Sequence, residues 1–379
     1  MPDFAKIATQ FRNVILPIAG ICLASRFCLL LIAVLTSANV PTATHADLPS
    51  WMTYLCKFDC GWYLSIAEHG YSSTEALDAA GATNYAFYPL FPLLVRALSP
   101  AFNGDFHIAA IVLTNVCFCT ALIYVYRYAL LLNFDCRTAL LGVALINFLP
   151  QSIAFSAAYT ESVFLLLFAA AAFHLRREQY LLAGLAAAAL SATRANGVFF
   201  LLFALVWILR HGGTSLLIKP WLAPEKFVPL VFAPLGALLF WGFCLASTED
   251  AFAHPTTELY GWGWSFSPPW KNLAVVLRTS PTANIAMFYS FAVFACSLLL
   301  LRQRLYEDFA VCAAFIILIW SGEGAASNFR YWLVLFPVWL VLVRALAPRP
   351  VLSAVVFSVL AALNGLMMAA WTLQASIAI

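Results

Sequence analysis

The residues best suited to chemistry gather in one stretch, Lys57-Phe58-Asp59-Cys60-Gly61-Trp62-Tyr63-Leu64-Ser65-Ile66-Ala67-Glu68-His69-Gly70-Tyr71. Trp62, Tyr63 and Ile66 recur at helical spacing with polar residues between them, the pattern of a short amphipathic helix lying at a membrane surface. Asp59 stands at its start, where two uses compete. An aspartate there is a common N-cap. The positive end of the helix dipole also keeps a carboxylate ionised for catalysis or binding. Glu68 lies nine residues on, across the helix from Asp59, Tyr63 and Ile66, so the two acids do not form a pair. Glu68 and His69 read as solvated loop residues. Cys56 and Cys60 flank this start at x3 spacing, which leaves open a disulfide or a metal clip. The other eight cysteines lie mostly in apolar runs and read as packing.

Three further segments bring polar groups to chain turns. They are Pro150–Ser162 with Glu161, Arg194 and Asn196, and the stretch carrying Glu323, Asn328, Arg330 and Tyr331. An ionisable residue at the edge of a membrane span is costly unless paired, which makes it functional by default. The competing reading is an ion pair, Glu161–Arg194 or Glu323–Arg330, that holds helices together. The two readings are compatible, because a guanidinium fork suits phosphate as well as carboxylate. Asn84-Tyr85-Ala86-Phe87-Tyr88-Pro89-Leu90-Phe91-Pro92 adds an aromatic, proline-rich return to the membrane, read first as interface anchoring. One acid, several arginines and many aromatics suit a substrate with an anionic phosphate head and a lipid tail. No P-loop, strand pattern or His/Cys zinc cluster is present. A nucleotide donor is therefore unsupported, and no cofactor is expected.

The elements that must position these groups follow from composition. Hydrophobic residues make up 64% of the 379 and charged residues 10%, with a mean hydropathy of +0.89. Only lipid solvates so much apolar surface. The net charge of +3 argues against nucleic acid as a partner. The chain reads as a single integral membrane domain over 1–379, all-α and polytopic, with about 11 apolar segments. Residues 14–36 form a retained first span, since Arg26 interrupts what a cleaved signal would keep apolar. The run 180–210 exceeds one span. It breaks at Arg194-Ala195-Asn196-Gly197, where Gly197 suits a turn.

With the N-terminus cytoplasmic, the cytoplasmic ends carry 13 of the 20 basic residues: Lys6, Arg12, Arg127, Arg137, Arg176, Arg177, Arg210, Lys219, Lys226, Arg302, Arg304, Arg344 and Arg349. The outer face then holds the larger loops, 37–106 and 248–283, and most of the acids. This places the candidate site on the outer, periplasmic face of a bacterial inner membrane.

The motifs resemble a known family. Phe58 to Tyr71 looks like the Trp-Asp-x-x-Trp-Tyr-x-x-Ile-Ala-x-x-Gly-Tyr element of the GPI mannosyltransferase 2 (PIG-V-like) family. Phe87-Tyr88-Pro89-Leu90-Phe91-Pro92 matches its Phe-Phe-Pro-Leu-Tyr-Pro element. Phe155 to Ser162, Ala192 to Gly197, and Arg330-Tyr331 through Phe336-Pro337 continue the likeness in order. Phe58 departs from the family's usual Trp. The resemblance implies a GT-C glycosyltransferase fold and transfer of a sugar, mannose in that family, from a polyprenyl-phosphate donor. The acceptor, a lipid-linked or other glycan, is not carried over. In that scheme Asp59 is the general base. Arg194, Arg330 and Arg26 are the candidates for the donor phosphate. Trp62, Tyr63, Glu161, Asn196 and Tyr331 are the candidates for substrate contact. The rival reading is a lipid or solute transporter, a flippase for example, using the same charges as a path. Against it stand the absence of an internal repeat and the one-sided polar groups.

Overall fold

A computed structural model describes residues 14–39, 50–72, 83–279, 281–322, 328–375 and 377. Each long apolar run becomes a helix, because lipid leaves the backbone no other partner than itself. In chain order the helices are α1 (Leu16–Asn39), α2 (Ser50–Thr53), α3 (Cys60–His69), α4 (Leu90–Leu98), α5 (Phe106–Leu131), α6 (Cys136–Phe148), α7 (Glu161–Arg176), α8 (Tyr180–Ser191) and α9 (Phe200–Ile218). They continue with α10 (Val228–Phe232), α11 (Leu235–Thr248), α12 (Ala253–Trp262), α13 (Pro269–Thr279), α14 (Pro281–Arg302), α15 (Tyr306–Ser321), α16 (Asn328–Trp332), α17 (Phe336–Leu346) and α18 (Pro350–Thr372). One isolated bridge, Phe266 with Gly322, is the sole β pairing among the described residues.

The apolar segments read from the sequence all appear as helices, with α10 and α11 sharing one and α16 and α17 another. Among the described residues, however, five helices are long and apolar enough to cross a membrane, or six with the bent pair α10–α11. Others stop short: α6 has 13 residues and α8 has 12, about 18–20 Å at 1.5 Å per residue. Polar turns at their ends replace the missing length with irregular backbone, which is tolerated at depth when protein surrounds it. Large apolar side chains on the long helices point outward: Leu23, Phe27, Leu239, Phe288 and Val351 are among the most exposed. That surface needs lipid around it.

Arginines tie the turns at one end of the bundle. Arg344 donates to the Leu132 and Asn133 carbonyls at 2.9 and 3.1 Å and to Gln303 at 3.1 Å. Arg176 meets Asp308 at 2.6 Å, and Arg210 meets Glu307 at 2.7 Å. These turns carry the basic residues that the sequence assigns to a single face. A column of rings leads away from this end. Tyr128 donates to Asp308 at 2.6 Å. Its ring meets Phe336 at 5.2 Å, Phe336 meets Phe168 at 5.0 Å, and Phe168 meets Phe164 at 6.5 Å. Phe164 lies one turn along α7 from Glu161, so the column ends beneath the polar groups of the other end.

Candidate active site

Three aspartates occupy helix N-cap positions, and their side chains settle what each does. Asp105 accepts from the Ile108 N–H at 2.9 Å. Asp135 accepts from the Thr138 N–H at 3.0 Å and its hydroxyl at 2.6 Å. Both are ordinary caps. Asp59 stands in the same position before α3, yet its side chain makes no capping bond. Its Oδ2 instead meets Arg330 Nη1 at 2.9 Å, 271 residues away in sequence. The N-cap reading fails for Asp59. A side chain turned from its own helix towards a distant guanidinium belongs to a tertiary site.

The backbone that aims it is strained and braced. Phe58 adopts a left-handed φ of 49°, an outlier for a bulky residue. A disulfide joins Cys56 to Cys60 around it. The hydroxyl of Tyr159 clamps both flanks, donating to the Lys57 carbonyl at 2.9 Å and accepting from the Asp59 N–H at 3.0 Å. The Phe58 ring packs edge-on against Trp371 at 5.2 Å. Strain of about 1–3 kcal/mol persists only where neighbours over-determine the conformation, and here a covalent bond, two hydrogen bonds and a ring contact do so.

Arg330 is the hub. It is buried, its Nε lies 3.3 Å from Glu161 Oε1, and its guanidinium sits 4.8 Å over the Tyr159 ring. Glu161 is fully buried, and its Oε1 also receives Arg194 Nη2 at 2.6 Å. Arg194 and Arg330 both lie against the Tyr331 ring, at 5.3 and 5.7 Å. Two acids and two guanidiniums thus form one chain, Asp59–Arg330–Glu161–Arg194, in which the charges cancel. Arg194 Nη1 and Glu161 Oε2, within this chain, are buried without a hydrogen-bond partner among the described residues, and so is the Oδ1 of Asn196, two residues on from Arg194. Unspent buried polar atoms are costly, so one donor and one acceptor of this chain stand available to a polar group. Among the described residues no group of three or more His, Cys, Asp or Glu side chains could hold a metal ion.

The other expected contacts divide. Trp62 is half-buried and stacks on Phe87 at 5.7 Å. Tyr63 is buried, walled by Phe87, Phe91 and Tyr159 at 4.9, 5.3 and 6.0 Å. Its hydroxyl lies within electrostatic reach of Arg194, Glu161, Asp59 and Arg330. Arg26 lies apart from this cluster. Its nitrogens are spent inside the bundle, on the Ser152 carbonyl at 2.6 Å, the Ser152 hydroxyl at 2.9 Å, the Asn147 carbonyl at 3.2 Å and Ser25 at 3.2 Å. It locks α1 to the α6–α7 turn and leaves nothing for a phosphate. Gly197 does lie in the turn that breaks the run 180–210. It has no left-handed φ, but a Cβ there would collide with the Leu190 carbonyl. Only glycine lets α8 and the 195–199 turn approach closely enough to aim Arg194. Glu68 and His69 are exposed. Glu323 falls outside the described residues.

Sequence reasoning passed over two residues. Tyr159 lies within a quoted motif, but nothing in its spacing announces that it clamps Asp59. Glu258 on α12 lies within electrostatic reach of Asp59, Arg330 and Arg194, where burial and the Asp59 charge raise its carboxyl to about 7. Its sole sequence signal was being an acid in the second large loop.

No family model matches this chain, and no curated protein matches it by sequence. Among solved structures it resembles the Archaeoglobus fulgidus oligosaccharyltransferase in complex with Zn and sulfate. The TM-score is 0.45 and the identity 14%, over 93% of this chain and 53% of that one. The archaeal oligosaccharyltransferase AglB from the same organism, in complex with an inhibitory peptide and a dolichol-phosphate, matches with a TM-score of 0.44 and 13% identity, over 93% and 56%. This chain spans about half the length of the structures it resembles. Likeness this distant assigns neither an activity nor a substrate.

Proposed function

We propose that this chain is a GT-C-type glycosyltransferase that moves a sugar, mannose, from a polyprenyl-phosphate donor to an acceptor hydroxyl. One observation carries the reading. All five motif segments of the PIG-V-like resemblance, scattered from residue 58 to 337, contribute to the cluster around Asp59. They supply Asp59 and Trp62, Phe87, Tyr159 and Glu161, Arg194, and Arg330 and Tyr331. Arg330 and Tyr159 reach Asp59 directly, and the other motif residues join them through an ion pair and ring contacts.

In this reading Asp59 takes the proton of the acceptor hydroxyl as that oxygen attacks the anomeric carbon. A placed general base contributes about 10²–10⁴-fold. Attack opposite the departing phosphate inverts the anomeric centre, as single displacement does in glycosidases. Arg194 and Arg330 stabilise the negative charge that grows on the leaving phosphate. Asn196 and Tyr331 line the substrate, and Trp62 lies at the edge. The site faces the periplasm, with the N-terminus cytoplasmic. A transporter would need a polar route to the opposite end, and the column Phe164–Phe168–Phe336–Tyr128 fills that direction with rings. The test is transfer from labelled polyprenyl-phosphate mannose in membranes bearing the wild-type chain or Asp59→Asn. Loss of about a hundredfold or more in the variant supports the reading. Transfer at the wild-type rate removes Asp59 as the base, and no transfer by the wild type removes the activity.

A further inference from the structure

The end of the bundle tied by Arg344 carries a groove that takes no part in the cluster around Asp59. Its volume is about 820 Å³, and it lies between the start of α6 and the α17–α18 turn. That size falls within the range of about 300–1,000 Å³ usual for ligand sites. Two kinds of surface line it. At the rim stand Asp135, Arg137 and Thr138, from the start of α6, and Ser353 from α18. Further along the two helices come Leu141, Ala354 and Phe357. Pro350, Ser353, Ala354 and Phe357 recur at i, i+3, i+4 and i+7, so one face of α18 makes that wall. From Pro350 to Phe357 the wall descends about 10 Å at 1.5 Å per residue. It adjoins the outward surface of α18, where Val351, Leu352 and Val355 are exposed. The groove thus runs from charge into hydrocarbon, as a phospholipid does.

The rim carries one charge of each sign. Asp135 accepts from the Thr138 N–H at 3.0 Å and from its hydroxyl at 2.6 Å, one bond to each carboxylate oxygen. Such bonds favour the ionised form, and a carboxylate with about four acceptor sites has room for more. Arg137 is exposed. Arg344, Arg176 and Arg210 direct their donors to carbonyls and acids of the bundle. The Arg137 guanidinium makes no hydrogen bond or ion pair among the described residues. A lipid head bearing only negative charge meets Arg137 but is repelled by Asp135. A head that joins a phosphate to a primary ammonium satisfies both. The guanidinium fork suits phosphate, and an ammonium brings N–H donors to the remaining lone pairs of Asp135. A quaternary ammonium has no N–H to offer. We infer that this groove is a lipid site for phosphatidylethanolamine. The phosphate meets Arg137, the ammonium meets Asp135, and an acyl chain follows Leu141, Ala354 and Phe357. The site stands whether or not the chain transfers a sugar.

The experiment is native mass spectrometry of the full chain in detergent. The added lipid is an equimolar mixture of phosphatidylethanolamine, phosphatidylglycerol and phosphatidylcholine with identical acyl chains. The wild type retains phosphatidylethanolamine over either other lipid by about threefold or more, the scale of an exposed charge pair. Arg137→Gln loses that retention. Asp135→Asn keeps the helix cap, because asparagine caps as well as aspartate, but removes the carboxylate charge, so the preference passes to phosphatidylglycerol. Ala354→Phe fills the apolar wall and lowers retention of all three lipids. Arg127→Gln, an exposed arginine of α5 outside the groove, retains lipid as the wild type does. Equal retention of the three heads by the wild type, or a preference for phosphatidylglycerol, overturns the inference. So does an Asp135→Asn variant that still prefers phosphatidylethanolamine, or wild-type retention in Arg137→Gln or Ala354→Phe. An equal loss in Arg127→Gln assigns the binding to the general charge of this end and overturns the site.

Discussion

Glu161→Gln isolates the strength of the charge chain. Glu161 is fully buried, and its Oε1 alone holds Arg194 at 2.6 Å and Arg330 at 3.3 Å. The substitution keeps shape and removes the charge, leaving two guanidiniums beside a neutral amide. Two magnitudes compete. An average interhelical hydrogen bond in a membrane protein is worth about 0.6 kcal/mol, whereas breaking a buried ion pair from one side costs about 3–5 kcal/mol. The geometry selects the second, because two cations lose one counter-charge in a place water does not reach. With an unfolding entropy of about 2.1 cal/mol/K per residue, the larger cost lowers Tm by about 4–6 °C and the smaller by under about 1 °C. The assay is thermal unfolding in detergent, followed by a thiol-reactive fluorophore that reports exposure of the buried Cys22, Cys117, Cys244 and Cys312 once the exposed Cys28 and Cys136 have been blocked. A double variant with Arg194→Gln removes one of the stranded cations, so it falls less than the sum of the two single variants. A shift below about 1 °C for Glu161→Gln, or simple additivity in the double variant, would refute the reasoning.

Other outcomes follow from the same geometry. Tyr159→Phe strips the hydroxyl from both flanks of Phe58 and leaves a carbonyl and an N–H unpaired. It should cost about 1–3 kcal/mol of stability and lower kcat, read by melting and by transfer rate together. Opening the Cys56–Cys60 disulfide frees a loop that closes over only four residues of separation, so Cys56→Ser with Cys60→Ser should lower stability by about 2 kcal/mol, checked against the reduced wild type. Gly197→Ala forces α8 from the 195–199 turn at a cost of about 1–3 kcal/mol. Gly61→Ala, with nothing near its would-be Cβ, should be neutral or stabilising in the same melt. Arg26→Met should lower stability without raising the donor KM, and a raised KM would return Arg26 to the phosphate.

Much of the scaffold was determined by the sequence alone. Apolar runs in lipid have helix as their only satisfied state, so segments such as Leu16–Asn39, Phe106–Leu131 and Pro350–Thr372 were legible to within a few residues. The skewed distribution of arginines marked which turns share an end, and Arg344, Arg176 and Arg210 do tie those turns together. The start of α3 at Asp59 was legible as well. Its use was not, because Asp59, Asp105 and Asp135 are alike in local sequence position and only the fold decides which carboxylate turns inward. From sequence Arg26 stood behind Arg330 as a phosphate ligand, with helix anchoring as its other reading, and residue type could not decide between the two. Arg26 spends its donors on Ser152 and Asn147, while Arg330 reaches across 271 residues to Asp59. Helix periodicity reports which face of a segment is buried, but carries nothing about which distant segment it meets. Asp59, the residue that spacing favoured no more as a base than as a cap, became the centre of a site through contacts from Tyr159 and Arg330. Tertiary packing alone could supply those.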